Sequence, residues 1–166
     1  MTLLEVINNL KSIASQQPNI RTVTEGDVYD VMNTNPSVTY DVFHLTQQTH
    51  QEDEDYDYYR FNLFYISRLV DDYNNRLQIQ SIGKSVISRV ITTFCEMYDI
   101  DFPDSTQLTY VAFTEKFTDL CAGVYCNVIF QIPKELICDD TDIPTIEITD
   151  NGTYTIGGYK VVIDVD

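Results

Sequence analysis

Few residue types in this chain could do chemistry, and the histidines are the first to consider. His44 and His50 are its only histidines. Their even spacing places both on one face of a predicted strand, but six residues at about 3.3 Å each separate them by roughly 20 Å. That distance is too great for the two side chains to share a metal ion. We therefore expect both to be exposed residues of a β-hairpin.

The second candidate is an acidic run at the predicted tip of that hairpin. Clustered carboxylates suit a calcium ion, but this spacing does not match a calcium-binding loop and lacks its turn glycine. Blocks of like charge usually mark solvated segments that repulsion keeps extended, and we predict that here. The tip consists of Glu52, Asp53, Glu54 and Asp55, and the run continues through Tyr56 and Asp57.

Other chemical motifs are absent from the sequence. The four cysteines form no C-x-x-C pair and do not make a disulfide framework, so we expect them to be reduced and structural. There is no glycine-rich phosphate loop, no G-x-S-x-G and no H-E-x-x-H. The sequence thus predicts a protein that is not an enzyme, with no catalytic residue, metal or cofactor. The cysteines are Cys95, Cys121, Cys126 and Cys138.

Composition narrows the classes of partner. The chain has 166 residues, a formal net charge of −16 and a pI near 4.1. Such a surface repels phosphate, which disfavours nucleic-acid binding through a basic groove and binding to anionic membranes. No apolar run reaches the roughly 18 residues of a spanning helix. With 12 Tyr and 8 Phe, the chain is too aromatic for a disordered acidic tail, so we predict a folded acidic domain.

Two segments are typical of amphipathic helices. Residues 2–16 and 76–97 carry apolar side chains at three- and four-residue steps, which is helical periodicity. The first should end before Pro18, because the residue before a proline avoids the helical region. A short extended piece at 20–24 and a segment of one or two helical turns at 28–33 follow it.

The rest of the chain is typical of β-structure. Four segments are rich in aromatic and β-branched residues, and an acidic loop at 51–55 between the first two favours an antiparallel hairpin. In the first segment, apolar side chains change face between Val42 and Phe43, which predicts a bulge or a partly wetted face. The four segments are 38–48, 56–70, 106–118 and 123–133.

These elements predict the α+β class, with helices packed on an antiparallel sheet in the order helix, hairpin, helix, hairpin. This domain covers 1–137. An acidic, proline-bearing stretch at 138–144 predicts a linker. Glycine-containing turns join three strand-like runs in 145–166, which predicts a short C-terminal β appendage that packs on the domain or on a neighbour.

The two long strands of the first hairpin favour a docking role. They could span about 35–50 Å, more than a domain of this size needs for its own core. Tyrosine supplies apolar area together with a hydrogen-bonding tip, which suits interfaces. From strand parity we predict a subunit or partner interface made of Tyr56, Asp57, Tyr58, Arg60, Asn62, Phe64, Arg68, Tyr125 and Asn127.

Several local segments carry a resemblance, together with the predicted layout of helix, hairpin, helix, hairpin. These segments are YDVFHL (40–45), FNLFYISRL (61–69), NRLQIQS (75–81), FTE (113–115), DLCAGV (119–124) and ITDNGTY (148–154). The layout resembles that of tail-terminator and tail-completion proteins of tailed bacteriophages. The segments resemble the same group in its first hairpin, its connection into the helix and its second hairpin, and the C-terminal run resembles a β-repeat appended to phage structural proteins.

The resemblance implies a virion structural protein, assembled in the host cytoplasm, that forms a six- or twelve-fold ring in the neck or tail. Its partners would be further copies of itself and other phage neck and tail proteins, with no membrane partner. DNA would pass through the lumen without specific binding, because an acidic wall repels it.

A DNA mimic is the alternative function. A small acidic protein can occupy the basic groove of a nucleic-acid-binding partner. Such mimics need carboxylates spaced along one long face, whereas the acids here concentrate in loops and linkers. Arg60, Arg68 and Arg76 lie within the central elements, which favours the ring.

Overall fold

In the computed structural model, the described residues are 1–34, 38–70, 75–104 and 108–134, together with the backbone of three short strands between 146 and 162. The predicted linker at 138–144 and Cys138 lie outside the described residues. The elements in chain order are α1 (Leu3–Ser15), β1 (Thr22–Glu25), α2 (Val28–Thr34), β2 (Val42–Glu52), β3 (Tyr56–Arg68), α3 (Arg76–Tyr98), β4 (Leu108–Lys116), β5 (Leu120–Pro133), β6 (Ile146–Thr149), β7 (Thr153–Ile156) and β8 (Tyr159–Val162).

The main sheet is mixed rather than antiparallel, so the predicted fold class is wrong. Its five strands lie in the order β1-β2-β3-β5-β4. β1 runs parallel to β2, with Thr22 opposite Val42, whereas the other neighbouring pairs are antiparallel. Parallel neighbours need a crossover connection, and α2 lies in the one between β1 and β2. The predicted order of helix, hairpin, helix, hairpin left out this β1–α2 unit, and the fold is a mixed α/β one.

A capping box starts α1. The Thr2 hydroxyl accepts a hydrogen bond from the backbone N–H of Glu5 at 3.3 Å, and the Glu5 carboxylate accepts one from the backbone N–H of Thr2 at 2.6 Å. These bonds satisfy two backbone donors at the helix start. The buried side chains of α1 recur at helical spacing and are Val6, Leu10, Ile13 and Ala14.

The main core lies between the sheet and the two longer helices, α1 and α3. Phe94 of α3 packs against Phe130 of β5, with ring centroids 4.8 Å apart and planes inclined by 58°, and both side chains are fully buried. At Gly83 the helix approaches β3 so closely that a Cβ there would lie 2.8 Å from Cδ1 of Tyr65. This packing fixes one face of β3 and β5, which we call the core-side face.

A smaller apolar cluster covers part of the opposite face. Met32 of α2 packs there with Val42, Ile66, Phe117 and Cys121. Both Val42 and Phe43 are therefore buried, one on each side of the sheet. The predicted bulge or wetted face at this point is wrong, and the irregularity of β2 instead lies between Gln47 and Thr49.

The three C-terminal strands form a separate antiparallel sheet in the order β6-β7-β8. Ile146 lies opposite Ile156, and Thr153 lies opposite Val162. The strands fall within the range predicted for the appendage, while the division of the chain into domain, linker and appendage stays a prediction.

Candidate interaction surface

We call the smaller apolar cluster around Met32 the α2 cluster. Beyond it, the same face of the sheet carries a band of half-buried side chains that we call the open face. Alternate residues of β3 and β5 point to it, while their neighbours in sequence are buried on the core-side face. No element among the described residues covers this band. Its members are Tyr56, Tyr58, Arg60 and Asn62 of β3 and Asn127, Ile129 and Gln131 of β5.

Strand register makes the open face a single surface. Arg60 lies opposite Ile129 and Asn62 lies opposite Asn127. The Asn127 amide donates to the Asn62 carbonyl oxygen at 3.0 Å, which fixes both side chains. Within the described part of the chain, the Arg60 guanidinium pairs with no carboxylate, so its charge is available to a partner.

The hairpin tip is an ordered turn rather than a segment held extended by repulsion. One carboxylate oxygen of Asp53 accepts hydrogen bonds from the backbone N–H groups of Asp55 and Tyr56 at 2.9 and 2.8 Å. Its other oxygen accepts from the Tyr58 hydroxyl at 2.7 Å. These hydrogen bonds lower the pKa of Asp53, and the bond from the Tyr58 hydroxyl has the largest effect. The Asp53 carboxylate therefore orders the turn at the tip, beside the open face, and Glu54 and Asp55 are exposed there.

Seven of the nine residues predicted for the interface lie together on this side of the sheet. Tyr56, Tyr58, Arg60, Asn62 and Asn127 belong to the open face. Phe64 and Tyr125 are in contact at its border with the α2 cluster, with ring centroids 5.5 Å apart and planes inclined by 35°.

The other two lie elsewhere. Asp57 points to the core-side face, where only 5% of it is exposed, and it bonds to His50 at 2.6 Å. Arg68 pairs with Asp119 at 3.2 Å at the opposite end of β3.

The sequence predicts that His44 is exposed, and this prediction is wrong, because the side chain is fully buried. Its Nε2 faces the Gly26 carbonyl oxygen at 3.2 Å and its Nδ1 faces the Thr24 hydroxyl at 2.8 Å. A carbonyl oxygen only accepts, so Nε2 carries the proton and Nδ1 accepts from Thr24. Burial lowers the pKa of His44, and the ring is a neutral structural group.

The described cysteines are buried and free. Cys95, Cys121 and Cys126 form no disulfide. Burial raises the pKa of the Cys95 thiol to about 11 and that of the Cys126 thiol to about 12. Since the thiolate is the reactive form, these thiols are suited to packing rather than to catalysis.

A surface of the opposite character lies on the outer side of α3, which we call the α3 groove. It is a shallow depression in which Lys84 and Arg89 stand among hydroxyl groups. Lys84 Nζ lies 5.7 Å from the Tyr110 ring centroid, and Arg89 donates to the Gln17 side chain at 3.4 Å. Among the described residues, neither cation forms an ion pair. The groove is lined by Ser81, Lys84, Ser85, Ser88, Arg89 and Thr92.

Comparison with known proteins does not assign the chain to a family. No protein-family model matches the chain, and no curated protein matches it. Within the part of the chain that the structure describes, no helix is long and apolar enough to span a membrane.

Proposed function

We propose that the chain is a non-enzymatic structural subunit of a virion, which forms a six- or twelve-fold ring in the neck or tail of a phage. The open face is the observation that carries this proposal. It places half-buried tyrosine and arginine side chains, which interfaces favour, together with asparagines on the paired strands β3 and β5. The local segments that resemble phage neck and tail proteins support the assignment to a virion. The predicted layout of helices and hairpins is wrong, so it does not support this assignment.

The ring interface joins unlike surfaces of neighbouring subunits. Contacts between two different patches repeat head to tail, and they close into a ring when the rotation permits. The acidic tip offers Glu54 and Asp55, both exposed, whereas the α3 groove offers Lys84 and Arg89. We infer that the tip of one subunit docks in the α3 groove of the next, with the open face flanking the contact.

The charge of the chain fits a channel through which DNA slides. At −16 per subunit, a ring concentrates negative potential around its lumen, and that potential repels phosphate. Neutralising acidic residues on the lumen side should therefore slow or stall DNA ejection, and unchanged ejection would remove this part of the proposal.

Charge reversal tests the interface directly. Glu54→Lys with Asp55→Lys changes the tip, and Lys84→Glu with Arg89→Glu changes the groove. Each double variant alone should weaken self-association at least about tenfold, because like charges at an interface cost several kcal/mol. Mixing the two double variants should restore association between opposite partners only, as measured by sedimentation velocity.

A second test addresses the open face, and the same chain offers a matched control variant. Arg60→Ala and Arg76→Ala change the charge equally, but Arg76 lies at the exposed start of α3 and outside the proposed contact. Arg60→Ala should weaken association while Arg76→Ala should not. Equal effects of the two variants would show that net charge, rather than the open face, governs assembly.

The alternative function has a test of its own. A wild-type chain that stays monomeric and displaces DNA from a basic protein would favour the DNA mimic instead.

A further inference from the structure

Three metal-ligating side chains meet near the hairpin tip, on the core-side face rather than the open face. His50 and Glu52 are two residues apart on β2, so both point to one side of the sheet. Asp57 of β3 lies directly opposite Glu52. The imidazole and the two carboxylates thus converge because of the strand register.

Their ligand atoms are close enough for one ion to bridge them. His50 Nε2 lies 2.6 Å from Asp57 Oδ1, and ligand atoms of all three residues lie within 4.8 Å of one another. Bonds to zinc of about 2.0–2.2 Å place neighbouring ligand atoms roughly 3–4 Å apart. A small opening of the His50–Asp57 pair and an inward rotation of Glu52 would meet that geometry.

Two of the three ligands are already held in place. The His50 ring stacks on Tyr59, with centroids 4.7 Å apart and planes inclined by 16°. The Asp57 side chain is only 6% exposed, while that of Glu52 is 67% exposed. A held imidazole and a held carboxylate, with one exposed carboxylate beside them, make a preorganised site for an ion.

We propose that His50, Glu52 and Asp57 form a binding site for a first-row divalent transition metal such as Zn²⁺. One imidazole and two carboxylates suit zinc, and the imidazole disfavours Mg²⁺ and Ca²⁺, which prefer oxygen ligands alone. The ion joins β2 to β3 beside the tip, so binding stabilises the end of the hairpin. This inference is independent of the ring.

Lys134 is the natural competitor for this site. Its Nζ lies 3.7 Å from Glu52 Oε2, so an arriving cation has to displace it from that carboxylate. Lys134→Met should therefore bind zinc more tightly than the wild type does. An ordinary surface ion pair at Glu52 with no metal function predicts no such gain.

Titration calorimetry with ZnCl₂, on full-length protein freed of metal by EDTA and dialysis, tests the site. We expect one Zn²⁺ per chain, with at least about tenfold weaker binding in His50→Gln and in Asp57→Asn. His50 is partly exposed, so His50→Gln should leave the fold intact. Glu54→Gln with Asp55→Asn is the control, since it removes two tip charges and no proposed ligand, and should bind zinc like the wild type.

A second readout separates coordination from loose attraction to an acidic surface. Without metal, Nε2 of His50 donates its proton in a hydrogen bond to the Asp57 carboxylate; zinc on Nε2 requires that this nitrogen carry no proton. ¹⁵N NMR of the imidazole shows whether Nε2 is protonated. Absence of one-to-one binding with a Kd below about 100 µM would overturn the proposal, as would equal zinc affinity in His50→Gln and wild type, or zinc bound while Nε2 keeps its proton.

Discussion

The buried histidine gives the sharpest prediction for the folded chain. His44 is 0% exposed, and its lowered pKa means that the folded protein resists the proton that the unfolded chain takes up near pH 6.5. Its contribution to stability is therefore fully present above pH 6.5 and is lost as the pH falls toward the folded pKa. The hydrogen bond to the Gly26 carbonyl and the charges of Asp27 and Glu25, which raise the pKa of His44, oppose this loss without cancelling the effect of burial.

The size of this effect has an upper bound. One proton taken up by the unfolded chain alone lowers the free energy of unfolding by about 1.4 kcal/mol per pH unit. Between pH 7.5 and 5.5 the loss can reach about 1.4 kcal/mol, because only the lower half of that interval lies below the unfolded pKa. His44→Gln removes the titrating group while keeping a donor and an acceptor for Gly26 and Thr24.

The assay is urea unfolding followed by far-ultraviolet circular dichroism at fixed, low protein concentration, for the wild type and His44→Gln at half-unit pH steps. The two proteins differ only at residue 44, so the difference between the two curves isolates His44. We expect the wild type to lose stability relative to the variant on acidification. Parallel curves would refute the reasoning, because they would mean that His44 takes up its proton equally in folded and unfolded chains.

Other predictions concern packing and the thiols. Gly123→Ala should lower the free energy of unfolding by about 1–3 kcal/mol in urea titration, because its Cβ would overlap the carbonyl oxygen of Tyr65. Phe94→Ala should cost about 3–5 kcal/mol in the same titration, since its ring is fully buried. Cys95 and Cys126 should react with an aromatic disulfide reagent at pH 8 far more slowly in the folded chain than in urea, as peptide mass spectrometry can measure. Equal rates in the two states would contradict their burial.

Periodicity predicted the long elements well. α1, α3 and β3 begin and end within about two residues of their predicted limits, because a buried face imposes a period of 3.6 on a helix and of 2 on a strand. Leu10 and Phe61, for example, are both fully buried. The sequence carries this information locally, so no knowledge of partners is needed.

The parallel strand could not be predicted in the same way. β1 has only four residues, and none of them is fully buried, so it lacks the alternation that marks a strand with one covered face. Its pairing depends on how α2 carries the chain back to β2, which is a tertiary property. The prediction of a bulge or a wetted face at Val42 and Phe43 was wrong for a related reason, since helices cover both faces of the sheet at that point.

The candidate site was predictable in part. Parity alone assigned Tyr58, Arg60 and Asn62 to one face of β3, and the structure places them there. Parity also puts Asp57 on the other face, and the structure places it there, while its part in an interface stays a prediction. The meeting of His50 with Asp57 depends on a register shifted by the irregularity near Gln47, and no local sequence signal marks that shift.

Light scattering on a size-exclusion column, over a concentration series at low and moderate salt, tests the ring most directly. Salt near 0.3 M shortens the screening length to well under 10 Å, so it weakens the diffuse repulsion between subunits of charge −16 more than contacts between touching side chains. The ring predicts a discrete species of six or twelve times 19.2 kDa that grows as salt rises from low to moderate. A monomer at every concentration and salt would contradict it.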